Sequence, residues 1–418
     1  MNFQESENYI HSLYRKAQPG LQRITQLLKL LGDPQKQLKF VHIAGTNGKG
    51  STAAMTASVL THAGYKTGLF TSPFIYRFNE RIQIGNAQIP DEAVIDLVAR
   101  VKQQADTMDD YPTEFEFVTA MAMVYFLEEN CDLVVLEVGM GGLIDATNVI
   151  PAPEVAVITN IGLDHTDALG DTLEKIAANK AGIIKSGCCA VVYRGSETVE
   201  AVYEEICKKL SVPLIKADFA GLRLVSHDLQ GQVFDCGSRK GIRNPLLGGH
   251  QMYNTAVVLS VCDGLKNRGW CISEQNIYEG IAHVQWPGRF DIVGHDPLFI
   301  IDGGHNPQCM DALVKNVQDY LADRHVVALT GVLADKDYGE MFRPVMPLVA
   351  EFVCVTPNNP RRLPAKELAE HLQKAGAKAT ACDSFREGVA LAKQKAGADG
   401  VVLCFGSLYT IGDIKNAL

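Results

Sequence analysis

A glycine-rich segment between a predicted strand and a predicted helix constrains this chain more than any other feature. Residues 44–52 read Ala-Gly-Thr-Asn-Gly-Lys-Gly-Ser-Thr. In such a loop, backbone N–H groups converge on an anion at the helix N-terminus. The lysine adds charge near the β- and γ-phosphates, and the hydroxyl that follows can hold Mg²⁺. The segment predicts a phosphate-binding loop, although an extra glycine separates its lysine from its serine. The weaker alternative is a plain glycine turn whose lysine, Lys49, faces solvent.

Short apolar runs alternate with helical patterns along the first part of the chain, which is typical of parallel strands covered on both faces. The predicted strands cover 39–44, 67–70, 133–138 and 155–159. The predicted helices cover 21–31, 51–63, 91–104, 116–128 and 251–268. Between the last strand and the last helix, 214–244 is richer in glycine and predicts a small β-rich insert.

A second alternation follows the segment Trp-Pro-Gly-Arg-Phe at 286–290, which we interpret as a hinge. Its predicted strands cover 298–302, 326–330, 352–356 and 401–405. The predicted fold class is therefore α/β, with a P-loop nucleotide-type parallel-sheet domain over 1–286 that carries the β-rich insert. A smaller Rossmann-like α/β domain is predicted over 287–418.

Composition excludes several classes of protein. The formal net charge of −9 argues against a nucleic acid or an anionic membrane as partner, since both need a positive field. No run reaches the roughly eighteen apolar residues of a membrane helix, and the first thirty residues lack a signal-peptide pattern. Eleven cysteines are scattered without a C-x-x-C pair, which favours a reducing compartment and disfavours a zinc site. We expect a cytoplasmic protein.

Acidic and imidazole side chains follow two of the predicted strands. Glu137 ends the strand over 133–138, and His165 follows the strand over 155–159. In open α/β sheets, ligands bind beyond the carboxyl ends of strands, so we expect both residues to end neighbouring strands and to favour Mg²⁺. The alternatives are a solvated Glu and an ordinary turn His. Glu114 and Glu116 flank Phe115 before a helix, where capping is the simpler interpretation.

These motifs occur in an order that resembles one known family. The chain is similar, over essentially its whole length, to the folylpolyglutamate synthase and dihydrofolate synthase family of the Mur ligase superfamily. The similarity lies in the segments 38–51, 71–73, 78–82, 115–117, 137–142, 145–148, 163–166, 180–185, 249–251, 286–290, 302–307 and 406–409, together with Asn254.

The resemblance implies an ATP-dependent ligase that adds glutamate to a folate, and in some members to dihydropteroate, through an acyl phosphate. It implies ATP as co-substrate, Mg²⁺ as cofactor and small-molecule partners only, and we expect a monomer. The implied catalytic residues are Lys49, Lys180 and His305, of which Lys180 would be carbamylated. The implied ATP-binding residues are Asn47, Gly48, Lys49, Gly50, Ser51, Asn254, Arg289 and Asp302. The implied metal ligands are Ser72, Glu137 and His165. The implied contacts to the acceptor and to the incoming glutamate are Thr113, Glu114, Phe115, Glu116, Ile144, Asp145, Ala146, Ser407 and His305.

Two other functions stay open at this point. One is a Mur-type ligase acting on a cell-wall precursor, which the short segment before the phosphate loop and the 72–82 loop disfavour. The other is a P-loop regulatory switch, disfavoured because no N-K-x-D motif follows the loop and a second α/β domain is present. Without the resemblance, Lys180 would be interpreted as an exposed helical lysine. Phe74 and Leu143 depart from the family pattern in the substrate loops, which leaves the preferred acceptor open.

Overall fold

The computed structural model describes residues 1–14, 20–304 and 306–418. The predicted catalytic residue His305 lies outside the described residues. Within them, the chain forms three β-sheets. The largest has the strand order β4-β3-β2-β5-β1-β6-β7-β8. Its strands are β1 (Phe40–Ala44), β2 (Thr67–Phe70), β3 (Ile82–Ile84), β4 (Ala87–Gln88), β5 (Leu133–Glu137), β6 (Val155–Ile158), β7 (Cys189–Val192) and β8 (Leu214–Lys216).

Six strands of this sheet run parallel, and β3 and β4 form an antiparallel edge. The central strands are buried along their whole length, as their continuous apolar sequences predict. Successive side chains point to opposite faces of a strand. In β1, Val41 and Ile43 therefore join one apolar cluster, whereas Phe40 joins another.

Helices cover both faces of the large sheet. They are α1 (Phe3–Ser12), α2 (Gln22–Leu30), α3 (Lys49–His62), α4 (Asp91–Ala105), α5 (Glu114–Glu128), α6 (Thr166–Leu169), α7 (Leu173–Lys180), α8 (Glu197–Leu210), α9 (His250–Asn267) and α10 (Glu274–Ala282). Helices α3, α9 and α10 pack on one face, and α1, α2, α4 and α5 pack on the other. None of the helices that the structure describes is long and apolar enough to cross a bilayer.

The predicted β-rich insert is smaller than expected. Residues Leu214–Lys216 form β8, the last strand of the large sheet, where they pair with β7. The separate sheet is antiparallel and three-stranded, in the order β11-β10-β9. Its strands are β9 (Leu222–Asp228), β10 (Gly231–Cys236) and β11 (Arg239–Asn244). The prediction merged β8 with this insert because a three-residue edge strand carries almost no periodic signal.

A third, six-stranded sheet is built from the end of the chain, in the order β12-β13-β17-β14-β15-β16. Its strands are β12 (Asp291–His295), β13 (Leu298–Ile301), β14 (Val326–Thr330), β15 (Glu351–Cys354), β16 (Ala379–Ala381) and β17 (Val401–Phe405). Its helices are α11 (Pro307–Leu321), α12 (Tyr338–Phe342), α13 (Ala365–Lys374), α14 (Phe385–Ala396) and α15 (Leu408–Asn416). The four predicted strands are present. Strands β12 and β16 are absent from the predicted strands; they form the two edges of the sheet and are only partly buried.

Candidate active site

The phosphate loop joins β1 to α3, and its shape depends on glycine. Gly48 precedes the helix with a φ of 86°, a conformation that other residues rarely adopt. A Cβ at Gly48 would lie 2.5 Å from Oδ1 of Asn254, and a Cβ at Gly50 would lie 2.6 Å from the ring of Trp286. The loop backbone therefore packs directly against α9 and against the segment that follows α10. The predicted loop lies between strand and helix, as the sequence indicates.

Lys49 is only partly exposed, which disfavours the weaker alternative of a plain glycine turn with a solvent-facing lysine. It is the first residue of α3 and is half-buried. Its Nζ donates hydrogen bonds to the carbonyl oxygens of Gly45, at 3.0 Å, and Thr46, at 3.2 Å. The side chain thus folds back over its own loop, whose carbonyl oxygens accept its hydrogen bonds.

Glu137 and Ser72 meet at the carboxyl ends of two adjacent strands, β5 and β2. The buried Glu137 carboxylate accepts the Ser72 N–H through Oε2 at 3.0 Å. Burial raises the pKa of Glu137, while Lys49, the Ser72 N–H and Arg289 each lower it. Among the described residues, no hydrogen bond reaches the second carboxylate oxygen. The site therefore offers a carboxylate oxygen and a neighbouring hydroxyl at one sheet edge.

His165 lies farther from Glu137 than the sequence analysis assumed. Strands β5 and β6 are not neighbours, because β1 lies between them. His165 follows β6 by a loop, has a left-handed φ of 51° and precedes α6. Its side chain is 49% exposed, and burial of the rest lowers its pKa. The two residues nevertheless line one cavity, since both follow strands that flank the strand leading into the phosphate loop.

Lys180 is buried, so the simpler interpretation of an exposed helical lysine is wrong. It ends α7 with 4% of its surface exposed, and its Nζ donates to the carbonyl oxygen of Gly45 at 2.9 Å. Burial lowers the pKa of Lys180 to about 7, and the positive charge of Lys49 contributes to the shift. Near neutral pH a substantial fraction of this amine is therefore uncharged.

Arg289 and Asp302 approach the loop from the third sheet. Asp302 follows β13, and its buried carboxylate accepts the N–H groups of Phe290, at 2.9 Å, and Gly304, at 2.7 Å. Burial raises the pKa of Asp302, and Arg289 opposes that shift. The two backbone bonds fix the carboxylate beside the guanidinium. The pair places one negative and one positive group at the edge of the cavity.

Direct hydrogen bonds connect the phosphate loop with α11. Asn47 Nδ2 donates to Oε1 of Gln308 at 2.8 Å, and Nδ2 of Asn306 donates to Oδ1 of Asn47 at 3.0 Å. On the other side of the loop, Nε2 of Gln251 donates to Oγ of Ser51 at 3.3 Å. The loop is thus contacted by the first helix that follows β13 as well as by α9.

A cavity of about 570 Å³ lies between the large sheet and the six-stranded sheet. It brings together residues that are up to 364 positions apart, from Gly45 to Tyr409. The predicted site residues that line it are Asn47, Gly48, Lys49, Gly50, Ser51, Ser72, Glu137, His165, Lys180, Asn254, Arg289, Asp302 and Ser407.

Known proteins share both the sequence and the fold of this chain. Residues 43–262 match the Mur ligase middle domain, and residues 288–408 match the Mur ligase glutamate ligase domain. Folylpolyglutamate synthase from Lacticaseibacillus casei is 37% identical over 100% of this chain and 99% of its own length. Dihydrofolate synthase/folylpolyglutamate synthase from Bacillus subtilis is 34% identical over 100% of this chain and 99% of its own length. The chain belongs to the folylpolyglutamate synthase/dihydrofolate synthase family of Mur ligases.

A solved family structure extends the comparison to bound ligands. The Escherichia coli FolC structure in complex with DHPP and ADP superposes with a TM-score of 0.87 at 31% identity. It covers 100% of this chain and 97% of that one. The two-domain Mur-ligase-like fold predicted from the sequence is therefore confirmed.

The segment predicted to meet the acceptor in this family member begins α5. Thr113 Oγ1 caps the helix. The Glu116 carboxylate accepts hydrogen bonds from the Thr113 N–H, at 2.8 Å, and from Nε of Arg23, at 3.0 Å. The capping interpretation of Glu116 is thus confirmed. Glu114 instead contacts Nδ1 of His11 at 3.1 Å. Phe115 is partly exposed, and its ring lies against Gly139.

The second predicted acceptor segment is a loop held by its own aspartate. The buried Asp145 carboxylate accepts the N–H groups of Met140, at 2.9 Å, and Thr147, at 3.0 Å. Ile144 is 47% exposed, whereas Ala146 is buried. None of the residues predicted in 113–116 and 144–146 lines the 570 Å³ cavity. Asp145 therefore shapes a loop at the cavity rim, and Ile144 is one of its exposed apolar groups, together with Met140 and Leu143.

Several cavity residues escaped the sequence analysis. Lys336 and Arg361 line the cavity from loops that follow β14 and β15, and Tyr409 does so from α15. Arg361 Nη1 is paired with Asp335 at 2.8 Å. The rule that ligands bind beyond the carboxyl ends of parallel strands, which singled out Glu137, would have found Lys336 and Arg361 as well.

Proposed function

We propose that this protein is an ATP-dependent ligase that joins the amino group of glutamate to a carboxylate of a folate, and also to dihydropteroate. One observation supports the proposal most directly. A single cavity combines a phosphate loop, two lysines that donate to the Gly45 carbonyl, and groups that follow strands of the eight-stranded and the six-stranded sheets. The relatives are folylpolyglutamate synthases, which are ATP-dependent ligases. The Escherichia coli complex with DHPP and ADP supports dihydropteroate as the second acceptor.

The proposed reaction has two steps. An oxygen of the acceptor carboxylate bonds to the γ-phosphorus of ATP, the bond to the β-phosphate oxygen breaks, and ADP leaves. The glutamate ammonium first gives one proton to water. Its neutral nitrogen then bonds to the carbonyl carbon of the acyl phosphate and loses a second proton, the C–O bond to phosphate breaks, and inorganic phosphate departs, which leaves one N–H on the new amide. Both steps join anions on a protein of net charge −9, so local positive charge must stabilise the transferred phosphoryl group.

The residues divide this work between them. The loop amides of Gly48 and Gly50 and the Lys49 ammonium hold the triphosphate, and Ser51 lies at its end. Asn254, Arg289 and Asp302 hold the nucleotide from α9 and from the third sheet. Since the two halves of the nucleotide site come from different sheets, closure of the sheets over ATP completes the site.

The residues Ser72, Glu137 and His165 fit a magnesium site completed by phosphate oxygens and water. Mg²⁺ is commonly bound through one or two carboxylates plus substrate phosphates, which agrees with a single carboxylate here. The described residues contain no group of three or more His, Cys, Asp or Glu side chains that would form an all-protein cage. Glu137 keeps one carboxylate oxygen free of hydrogen bonds with the described residues. When bound, the ion would neutralise charge on the transferred phosphoryl group.

Lys180 is proposed to be carbamylated. Its buried amine has a pKa lowered to about 7, and only the neutral amine reacts with CO₂. The ammonium loses one proton, the neutral nitrogen then bonds to the carbon of CO₂ as one C–O π bond opens, and a second proton leaves, so the side chain changes from a cation to an anion. That anion would favour Mg²⁺ in the same cavity, where an ammonium would repel it.

The acceptor and the incoming glutamate occupy the remaining edges. We propose that Thr113, Glu114, Phe115 and Glu116, together with Ile144, Asp145 and Ala146, form the acceptor side. Ser407, which precedes α15 and is buried at the cavity, is proposed to contact the incoming glutamate, a role that the family resemblance also implies for His305. The domain boundary near residue 287, between α10 and β12, separates the two groups, and the enzyme acts as a monomer.

Product mass tests the proposed function directly. Purified protein is incubated with ATP, Mg²⁺ and glutamate, with either tetrahydrofolate or dihydropteroate as acceptor. The expected result is a product heavier by one glutamyl residue, formed with stoichiometric ADP and phosphate, for each acceptor. ATP turnover without glutamyl transfer would contradict the ligase, and transfer to tetrahydrofolate alone would remove dihydropteroate from the proposal.

A further inference from the structure

Arg81 is a buried arginine whose guanidinium has no hydrogen-bond acceptor in the part of the chain that the structure describes. It ends the 3₁₀ turn Phe78–Arg81 before β3, and 9% of its surface is exposed. Its Nε is buried and has no hydrogen-bond partner within residues 1–14, 20–304 and 306–418. Among the described residues, its guanidinium makes no hydrogen bond, and the nearest carboxylate oxygen, Oε1 of Glu114, lies 3.9 Å from Nη2. A guanidinium has five N–H donors, so this burial is costly unless something else accepts them.

Arg81 lies between residues that are proposed to bind the metal, such as Ser72, and residues that are proposed to contact the acceptor, such as Glu114. The carbonyl oxygen of Arg81 accepts the Thr71 N–H at 3.0 Å. This hydrogen bond holds the Arg81 backbone beside the carboxyl end of β2, which Ser72 follows. Its guanidinium lies over the Phe74 ring, 5.2 Å from the centroid. Burial lowers its pKa, while the nearby groups of Glu114, Tyr409 and Glu137 raise it, and the group stays charged.

The contacts that Arg81 does make do not account for its donors. A ring face attracts the cation but accepts no directed N–H bond of normal strength. Glu114 is already held by Nδ1 of His11 at 3.1 Å, and 17% of its side chain is exposed. An ionised carboxylate from a ligand would satisfy two donors at once, which is the geometry for which arginine is preferred over lysine.

We propose that Arg81 binds the spectator carboxylate of the folate acceptor, which makes it a specificity-determining residue. This inference rests on the proposed function. A folate ends in a glutamyl residue with two carboxylates, of which one is activated by ATP while the other stays ionised. Dihydropteroate ends in one carboxylate, which is the one that reacts. Arg81 therefore favours folate over dihydropteroate and plays no part in activating the carboxylate that both acceptors share.

The test compares acceptors across matched variants. Arg81→Gln removes the charge and keeps a polar side chain, and Arg81→Lys keeps the charge without the two-donor fork. Arg77→Gln is the control, because Arg77 lies four residues away, is 51% exposed at its side chain and pairs with Asp91 at 2.6 Å. Initial rates of glutamyl transfer are measured with tetrahydrofolate and with dihydropteroate. ATP binding and thermal unfolding are measured for every variant.

A second comparison does not depend on dihydropteroate being accepted. The two monoamides of tetrahydrofolate each lack one of the glutamyl carboxylates. The monoamide that still accepts glutamate retains the reacting carboxylate and lacks the spectator one. In wild-type protein this monoamide should have a lower kcat/KM than tetrahydrofolate, by about tenfold or more, as expected for the loss of a charge-assisted bond. In Arg81→Gln the two acceptors should be used about equally.

The expected result is a loss of about 10- to 100-fold in kcat/KM for tetrahydrofolate in Arg81→Gln, carried mainly by KM, with partial recovery in Arg81→Lys. Rates with dihydropteroate and the nucleotide affinity should change less than about threefold. An equal loss for both acceptors, or an unchanged monoamide ratio, would overturn the inference and would assign Arg81 to the shared carboxylate or to folding. Absence of transfer by wild-type protein would instead count against the proposed function.

Discussion

Lys180 and Lys49 donate hydrogen bonds to the same carbonyl oxygen, that of Gly45, at 2.9 and 3.0 Å. Because both nitrogens lie about 3 Å from one atom, they are at most about 6 Å apart. Two ammonium groups at that distance disfavour each other, and burial disfavours the charge on Lys180 further. The first glycine of the phosphate loop, Gly45, thus couples the loop lysine to Lys180, which lies 135 residues after that glycine.

Lys180→Ala is expected to reduce ligation by about 100-fold or more while nucleotide binding persists, because the carbamate proposed for this residue is lost. Short carboxylates such as acetate, added in solution, should restore part of the rate by supplying the missing anion. Steady-state rates with and without acetate provide the measurement. Lys175→Ala is the matched control, since Lys175 is exposed on the same helix and pairs with Asp171. Full activity of Lys180→Ala, or of wild-type protein after rigorous CO₂ removal, would rule out the carbamate.

The same burial predicts a pH-dependent stability. The pKa of Lys180 is about 7 in the folded protein and near its ordinary value of 10.5 in the unfolded chain. The folded state is thus destabilised most below pH 7, and the penalty fades as pH rises from about 7 to 10.5. In CO₂-free buffer, Lys180→Met should be more stable than wild type at pH 6, with a difference that shrinks towards pH 10.

Urea unfolding at several pH values checks this expectation. Lys175→Met is the control, because the exposed Lys175 is paired with Asp171, which raises its pKa. That variant should be no more stable than wild type at any pH. A Lys180→Met variant whose stability relative to wild type does not change with pH would show that the Lys180 amine is not destabilised by burial.

The position of Lys180 also shows what the sequence could predict and what it could not. The phosphate loop is a local pattern, since a strand, a glycine turn and a helix follow one another within 25 residues, so its structure was predictable. The burial of Lys180 depends on α7 packing beneath a loop 135 residues away, and no spacing in the sequence encodes that contact. Only the family resemblance pointed to this residue.

Strand order limited the prediction in the same way. Glu137 and His165 follow consecutive predicted strands, but β1 lies between these strands in the sheet. Local periodicity identifies a strand and says little about its neighbours. Arg81 had no signal of its own, because a single arginine before a short strand is ordinary until the packing around it is known.

Lys49→Ala is expected to abolish phosphate release in the presence of ATP, Mg²⁺, acceptor and glutamate. The ammonium stabilises charge on the transferred phosphoryl group, and removal of one such group costs about 10²–10³ in rate. Since Lys49 also holds the carbonyls of Gly45 and Thr46, Lys49→Arg is a useful companion that keeps the charge. Circular dichroism and thermal unfolding verify that both variants fold. Ligation by Lys49→Ala at a near wild-type rate would contradict the phosphate-loop assignment.

Glu137→Gln tests the proposed magnesium site with little change in shape. The Gln carbonyl oxygen can still accept the Ser72 N–H, while the negative charge is lost. The Mg²⁺ concentration for half-maximal activity should therefore rise by about tenfold or more. Glu129→Gln, which alters an exposed carboxylate paired with Lys66, should leave the Mg²⁺ dependence unchanged. A wild-type Mg²⁺ dependence in Glu137→Gln would remove Glu137 from the metal site.

The contribution of the third sheet is tested by Arg289→Ala in the full chain and by the fragment 1–286. Arg289 lies beside the Asp302 carboxylate, and the 2.8 Å hydrogen bond from Asn47 to Gln308 connects the phosphate loop with α11, the helix that follows β13 of the third sheet. Both changes leave the loop and Lys49 in place, so weak nucleotide binding should persist. Glutamyl transfer should fall by about 100-fold or more in Arg289→Ala and should vanish in the fragment, because half of the site is missing.

Isothermal titration with ADP and product mass separate the two effects. A fragment that binds ADP without ligating agrees with a site shared between the sheets, and mixing it with the segment 287–418 is the corresponding control. If the fragment fails to fold, Arg289→Ala still decides the question in the intact protein. Glutamyl transfer by the fragment alone, or an Arg289→Ala variant with wild-type kcat/KM for ATP, would place the whole reaction on the large sheet and exclude the shared site.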